Sequence, residues 1–274
     1  MDLGLNGKKV IISAATRGLG FATAQSFLKE GAQVAICGRR PGGGESFEAG
    51  FQGEGHPLAR SGLAEALEAL GELGPVHGEV VDCADGEAVR RWVDSSAQAM
   101  GGIDIVVSNA SALGGRGNTR EGWDLSYEVD LLSSVAMFEA ALPHLRKAGG
   151  GAFVQTGSVA AIEDHPFGEN LSYAAMKAAL INLVHQLAHR HAGENIRCNT
   201  VCPGPTRVED GSWAFLEGYM PDYYEHNRDR HPAGRFGRPE EIADVIVFLA
   251  SERACWVMGE NLMVDGGYTT HVKF

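Results

Sequence analysis

An alternation of short apolar runs with longer helical patterns constrains this 274-residue chain more than any other feature. The runs fall at 9–13, 33–37, 76–82, 103–109, 152–158, 196–203 and 261–265. Helical patterns lie between them near 18–30, 61–70, 85–100, 120–147, 172–191 and 239–250. Runs such as "KVIIS" and "QVAIC" are apolar through their middle at successive positions, so neither face suits water. Strands buried on both faces belong to a parallel sheet covered by helices. The strand–helix rhythm therefore predicts an α/β fold: a Rossmann-type, doubly wound parallel sheet of seven strands with helices on both faces. Such sheets bind ligands beyond the carboxyl ends of their strands, where strand order reverses.

Residues 1–274 are expected to form a single domain, because the rhythm runs the whole length. Two stretches interrupt it. Residues 38–57 hold seven glycines and two prolines and read as a flexible insertion after the second strand. Residues 204–237 carry Trp213, Phe215, Leu216, Tyr219, Met220, Tyr223 and Tyr224, and read as a lid over a substrate.

Charge narrows the partners. The formal net charge is −12, and the basic clusters "GRR" and "HRH" are short, so a nucleic-acid partner is not expected. The first apolar run is too short and broken for a signal peptide or membrane span, and a cytoplasmic protein is expected. The five cysteines form no C-x-x-C pair, and no disulfide framework is expected. His185, His189 and His191 have helical metal-ligand spacing but no neighbouring carboxylate or cysteine in sequence. They read as a surface face, and no metal is expected.

The first strand leads into "SAATRGLG", with Gly18 and Gly20 at the start of a helix. Glycines there let backbone N–H groups approach a phosphate, and the helix N-terminus favours its charge. The second strand ends "ICGRR". An NAD site usually places a carboxylate there for the ribose 2′-hydroxyl. Gly38 stands in that place instead, followed by Arg39 and Arg40, and Arg17 lies on the glycine turn. Guanidiniums favour a 2′-phosphate, so the pattern predicts NADP(H) rather than NAD. Ala14, at the first position of the turn usually held by glycine, is expected to keep a negative φ, because a β-carbon is costly at positive φ.

"SYAAMKAAL" sets Tyr173 and Lys177 on one face of a helix. A phenol with a reference pKa of about 10 is a poor acid–base group at neutral pH, and a neighbouring ammonium lowers that value. Such a pair can exchange a proton with an alcohol or carbonyl, and Ser158 in "TGSVA" can orient the same oxygen.

Taken together, these residues closely resemble the short-chain dehydrogenase/reductase family, in its single-domain branch that includes 3-oxoacyl-acyl-carrier-protein reductases. The resemblance covers nearly the whole chain. "SAATRGLG" matches the family's glycine motif, Asp82 its adenine-contacting Asp, and "SNAS" (108–111) its N-N-A-G. Ser158, Tyr173 and Lys177 match its catalytic set, Pro203–Gly204 its P-G turn, and "GRFGRPEEIADVIVFLAS" with "VMGENLMVDGG" its C-terminal segment. The resemblance implies hydride transfer between a nicotinamide and a ketone or secondary alcohol, with Tyr173 as acid or base, Lys177 binding the nicotinamide ribose and lowering the Tyr173 pKa, and Ser158 holding the reacting oxygen. It implies cofactor contacts at Ala14, Arg17, Gly18, Leu19, Gly20, Arg39, Arg40, Asp82, Cys83, Asn109, Ala110, Ser111, Tyr173, Lys177, Pro203, Gly204 and Thr206. It also implies a homotetramer or homodimer built on the helices near 120–147 and 172–191.

The chain departs from the family at several places. Ala14 replaces a glycine, and Ser108 and Ser111 replace Asn and Gly of N-N-A-G. Asp130 stands where the family's Asn holds a water in the proton relay. A carboxylate there still accepts hydrogen bonds, but it favours a charged Lys177 and opposes a tyrosinate. The interval from Ser158 to Tyr173 is slightly long, so "IEDHPFGENL" is expected to shape the substrate pocket. The lid aromatics suggest a bulky apolar ketone, or else packing of the lid itself. Alternatives are an NAD-preferring dehydrogenase and an inactive nucleotide-binding regulator of the same fold. A dehalogenase of this fold would carry arginine at Lys177, and enoyl reductases use a longer Tyr-to-Lys spacing.

Overall fold

The computed structural model describes residues 2–42, 62–113, 117–163, 171–209 and 211–270. Its strands are β1 (Lys9–Ile12), β2 (Gln33–Gly38), β3 (Val76–Val80), β4 (Ile105–Ser108), β5 (Gly151–Thr156), β6 (Ile196–Pro203) and β7 (Asn261–Val264). All pair in parallel in one sheet, in the order β3-β2-β1-β4-β5-β6-β7. The expected seven-stranded, doubly wound sheet is present.

Strand alternation builds two cores. Val10, Ile12, Val34, Ile36, Ile105 and Val107 face one layer, with Phe27 and Leu28 of α1 (Gly18–Lys29), Leu70 of α2 (Leu63–Gly71) and Ile242 and Ile246 of a late helix, Pro239–Ala250. Their neighbours Ile11, Ala35, Cys37, Val106 and Phe153 face the other layer. There they meet Trp92 and Val93 of α3 (Gly86–Met100), Met137 and Phe138 of α5 (Ser133–Lys147) and Val184 of α6 (Leu171–His191). This is why the strand runs show no polar face.

Two expectations change in detail. The run at 76–82 is an edge strand, β3, exposed at alternate positions and ending at Val80. The helix expected over 120–147 is three pieces: α4 (Arg120–Ser126), a π-helical turn (Tyr127–Leu132) and α5. A π turn inserts one residue and swings the side chains after it, a device common at functional sites. The lid segment holds α7 (Ser212–Tyr219) and α8 (Pro221–Asp229), and α9 is Pro239–Ala250. Of the insertion expected at 38–57, positions 43–57 lie outside the described residues. So do positions 164–170 of the loop expected to shape the pocket.

Arg197 on β6 is buried, and its guanidinium donates to the carbonyls of Leu249, Ala250, Ser251 and Ala254 at 2.5–3.1 Å. A cation at a helix C-terminus satisfies orphan carbonyls and opposes the negative end of the dipole. It thereby fixes the end of α9 to the sheet.

Candidate active site

The order of the sheet reverses between β1 and β4, and two loops are stitched together there. Ser13 Oγ accepts from the N–H groups of Asn109 and Ala110 at 2.9 and 3.1 Å. Asn109 Nδ2 donates back to the carbonyls of Ser13 and Ala14. Ser13 N–H bonds Val107 O on β4, while Ala15 N–H bonds Cys37 O on β2. Ala14 must therefore cross between two anchored neighbours, and it does so with φ at +51°. The expectation of a negative φ is overturned. The hydrogen bonds on both sides decide the torsion, and the chain tolerates a strain of roughly 1 kcal/mol.

Gly18 has φ +58°, the left-handed region open to glycine. At Gly20 a β-carbon would lie 2.6 Å from Ala14 O and 2.7 Å from Asn109 Nδ2, so only glycine lets α1 start beneath the stitched loops. Leu19 packs beside it against the core. Arg17, half-buried, is the extended N-cap of α1. At the end of β2, a β-carbon on Gly38 would meet Thr16 Cγ2 at 2.3 Å. Thr16 thus occupies the place usually acidic, and would have to shift for any side chain at 38. Arg39 is exposed and Arg40 half-buried just beyond it. Asp82 is exposed after β3, its Oδ1 accepting from Ala84 N–H. The Cys83 side chain packs on the core layer of Cys37. A hydrogen bond from Cys37 lowers the Cys83 pKa, while burial and that same bond hold Cys37 up as a thiol.

Beyond the ends of β4 and β5 lies a buried polar cluster around Tyr173 and Lys177. α6 presents Tyr173 and Lys177 from one face, and its first turn is fixed to α4 by Ser126 Oγ and Ser172 Oγ, buried 3.0 Å apart. Lys177 is buried. Its Nζ donates to Thr156 O at 3.1 Å, lies 3.5 Å from Asp130 Oδ1 and sits 5.5 Å from the Tyr173 ring centroid. Ser158, in extended backbone after β5, accepts from Ala160 N–H and lies near enough to Tyr173 to lower its pKa. Asp130 projects from the π turn with its carboxylate fully buried. Within the protein the Tyr173 phenol stands above its ordinary pKa. Burial raises it most, Asp130 and Cys202 add to the rise, and the Ser158 hydroxyl opposes it. The expected lowering of this phenol by Lys177 is not what the packing favours, because the ammonium faces Asp130 and the Thr156 carbonyl.

The far wall comes from β6 and the segment after it. Gly204 N–H bonds Val264 O, and a β-carbon on Gly204 would touch Asp265 at 2.7 Å. Thr206 Oγ1 donates to Gly204 O, and the backbone of Thr206 forms a β-bridge with Gly237. Val208 reaches the glycine turn, 3.7 Å from where a Gly18 β-carbon would be. In the lid, Trp213 stacks on Tyr223 and tilts against Phe236, Tyr224 meets Phe236 edge-on, and Phe215 stacks on Tyr219. Most of the lid aromatics are therefore spent on each other. Arg230, at the end of α8, pairs with Glu163, donates to Tyr268 Oη at 3.0 Å and lies over that ring. His185 lies at Gly259 O and His191 at Glu194, at the rim of α6. Among the described residues no helix is long and apolar enough to cross a membrane.

Sequence reasoning passed over Ser13, Thr16, Thr156 and Val208. The strand-end position of Ser13 was its only local signal; the others act through contacts distant in sequence.

A family model described as enoyl-(acyl carrier protein) reductase matches residues 13–269. Isoepoxydon dehydrogenase of Penicillium expansum is 33% identical over 274 residues, covering 100% of this chain and 99% of its own. The solved structure of L-sorbose reductase from Gluconobacter frateurii, complexed with NADPH and L-sorbose, has TM-score 0.82 and 31% identity, covering 99% of this chain and 100% of that one. That of 7α-hydroxysteroid dehydrogenase, complexed with NADH and 7-oxo glycochenodeoxycholic acid, has TM-score 0.82 and 26% identity, covering 99% and 98%.

Proposed function

The chain belongs to the short-chain dehydrogenase/reductase family of oxidoreductases, and we propose that it interconverts a ketone and a secondary alcohol with NADP(H). The convergence of Ser158, Tyr173 and Lys177 beside the glycine turn carries this reading. A nicotinamide bound there supplies or accepts the hydride.

The cradle around Gly18 and Gly20 fits a pyrophosphate: it has no side chain at either position, and it opens α1. Arg17, Arg39 and Arg40 are the candidates to hold a 2′-phosphate, and the absence of a carboxylate at Gly38, where Thr16 packs, supports that preference. Asp82 and Cys83 flank the adenine side, and Asn109–Ser111 with Pro203–Thr206 flank the nicotinamide side. Tyr173 gives a proton to the carbonyl oxygen in reduction and takes one from the alcohol in oxidation. Ser158 holds that oxygen, and Lys177 binds the ribose. The four-residue interval from Tyr173 to Lys177 supports C=O rather than C=C chemistry.

The relatives act on substrates as unlike as a sugar and a bile acid, so the substrate reading rests on this lid alone. Tyr219 and Met220 are 59% and 42% exposed there, which supports a bulky apolar ketone. Exposed Trp123, Tyr127 and Leu171, on α4, the π turn and α6, support self-association through those helices.

NADPH oxidation across a panel of ketones tests the reading. Wild type should turn over at least one ketone, and Tyr173→Phe should lower kcat by about 100-fold or more. Equal rates in the two, or no turnover at all, would sink it. Arg17→Ala with Arg39→Ala should raise KM for NADPH and leave that for NADH nearly unchanged.

A further inference from the structure

We propose that Ser111 is a positioning residue that acts through Asp130: its hydroxyl turns the buried carboxylate toward Lys177 and fixes a negative charge beside Tyr173. The idea rests on the oxidoreductase reading above, and gives Ser111 a task other than cofactor contact.

Among the described residues, four contacts define the unit. Ser111 Oγ donates its one proton to Asp130 Oδ1 at 2.5 Å, and accepts from Leu113 N–H at 3.0 Å. No hydroxyl proton remains for a ligand. Ala112 N–H donates to Asp130 Oδ2 at 3.2 Å, and Lys177 Nζ lies 3.5 Å from Oδ1. Asp130 Oδ1 thus takes the Ser111 hydroxyl and faces the Lys177 ammonium together, while Oδ2 meets the backbone of the loop after β4. Its side chain is fully buried and that of Lys177 is 2% exposed, so water cannot replace a lost donor freely. The loop holds this shape with Leu113 at φ +54°, a conformation no glycine relieves.

The two departures from the family at 111 and 130 therefore become one. A carboxylate at 130 gains an acceptor that needs a donor, and a serine at 111 supplies it. The consequence falls on proton transfer. The titratable groups facing the phenol are Lys177 from its own helix, Asp130 from the π turn and Cys202 from β6, with the Ser158 hydroxyl from the loop after β5. Burial disfavours a tyrosinate most, and the Asp130 carboxylate adds to that effect. Tyr173 remains a proton donor to higher pH, and alcohol oxidation needs a more alkaline medium.

A double-mutant cycle tests this. Ser111→Ala should lower kcat about tenfold in the wild-type background and less than twofold when combined with Asp130→Asn, while Ser111→Thr, which keeps the hydroxyl, should retain most of it. Asp130→Asn should move the break in the oxidation pH profile down by about one unit. In the cofactor-free protein, Ser111→Ala should lower Tm clearly beside Asp130 and hardly at all in the Asp130→Asn background. Equal losses in both backgrounds by either measure, or a raised KM for cofactor as the main effect, would overturn the proposal. The Tm cycle reads the pair even in a protein that turns over no ketone, and Tyr173→Phe judges the enzyme reading separately.

Discussion

At the scale of single residues, the site is built by positions held against their own preference. Ala14 keeps a left-handed torsion because Ser13 and Ala15 are bonded to different strands. Ala14→Gly removes that strain but loosens the unfolded chain, and a net stabilisation of up to about 1 kcal/mol is expected in urea titration. A loss of stability would mean the turn is not strained. Tyr173 brings a pH dependence of its own. The unfolded chain ionises its phenol near pH 10, whereas the folded one does so at higher pH. The folded state therefore binds more protons above pH 10, and stability should fall as pH rises past that point. Tyr173→Phe should flatten this fall between about pH 10 and 11, read by denaturant midpoint.

At the scale of elements, single ionic contacts tie helices to the sheet. Arg197→Leu leaves the carbonyls at the end of α9 buried without donors. A loss of roughly 3–5 kcal/mol is expected by urea unfolding, from several charge-assisted hydrogen bonds at once. Arg230 joins the end of α8 to Glu163 and Tyr268, both partly or wholly buried. Arg230→Ala should cost about 1–3 kcal/mol and open the lid to protease before the sheet. Simultaneous cleavage of lid and core would show that the contact does not govern the lid. The π turn was hidden at this scale, because "LSYEVDLLSS" has ordinary helical character and carries no local signal for the wider turn.

At the scale of the whole molecule, strand order determines where chemistry can occur. The reversal between β1 and β4 opens the crevice, and residues as far apart as Arg17, Asn109, Tyr173 and Val208 gather beyond the carboxyl ends of the strands. The helices that complete the site also leave Trp123, Tyr127 and Leu171 exposed. Sedimentation should find a dimer or tetramer at micromolar concentration, and a monomer would refute association through this face.

By itself the sequence determined the seven strands, the parallel sheet and most of the helices between them, and it singled out Ser158, Tyr173 and Lys177, because periodicity, glycine spacing and helical intervals are local properties that survive in one dimension. Only the tertiary structure decided the torsion of Ala14, the packing of Thr16 against Gly38, the partners of Lys177 and the union of Ser111 with Asp130. Each of these depends on a hydrogen bond or contact between segments distant in the chain, and such pairings exist only once the sheet has brought the loops together.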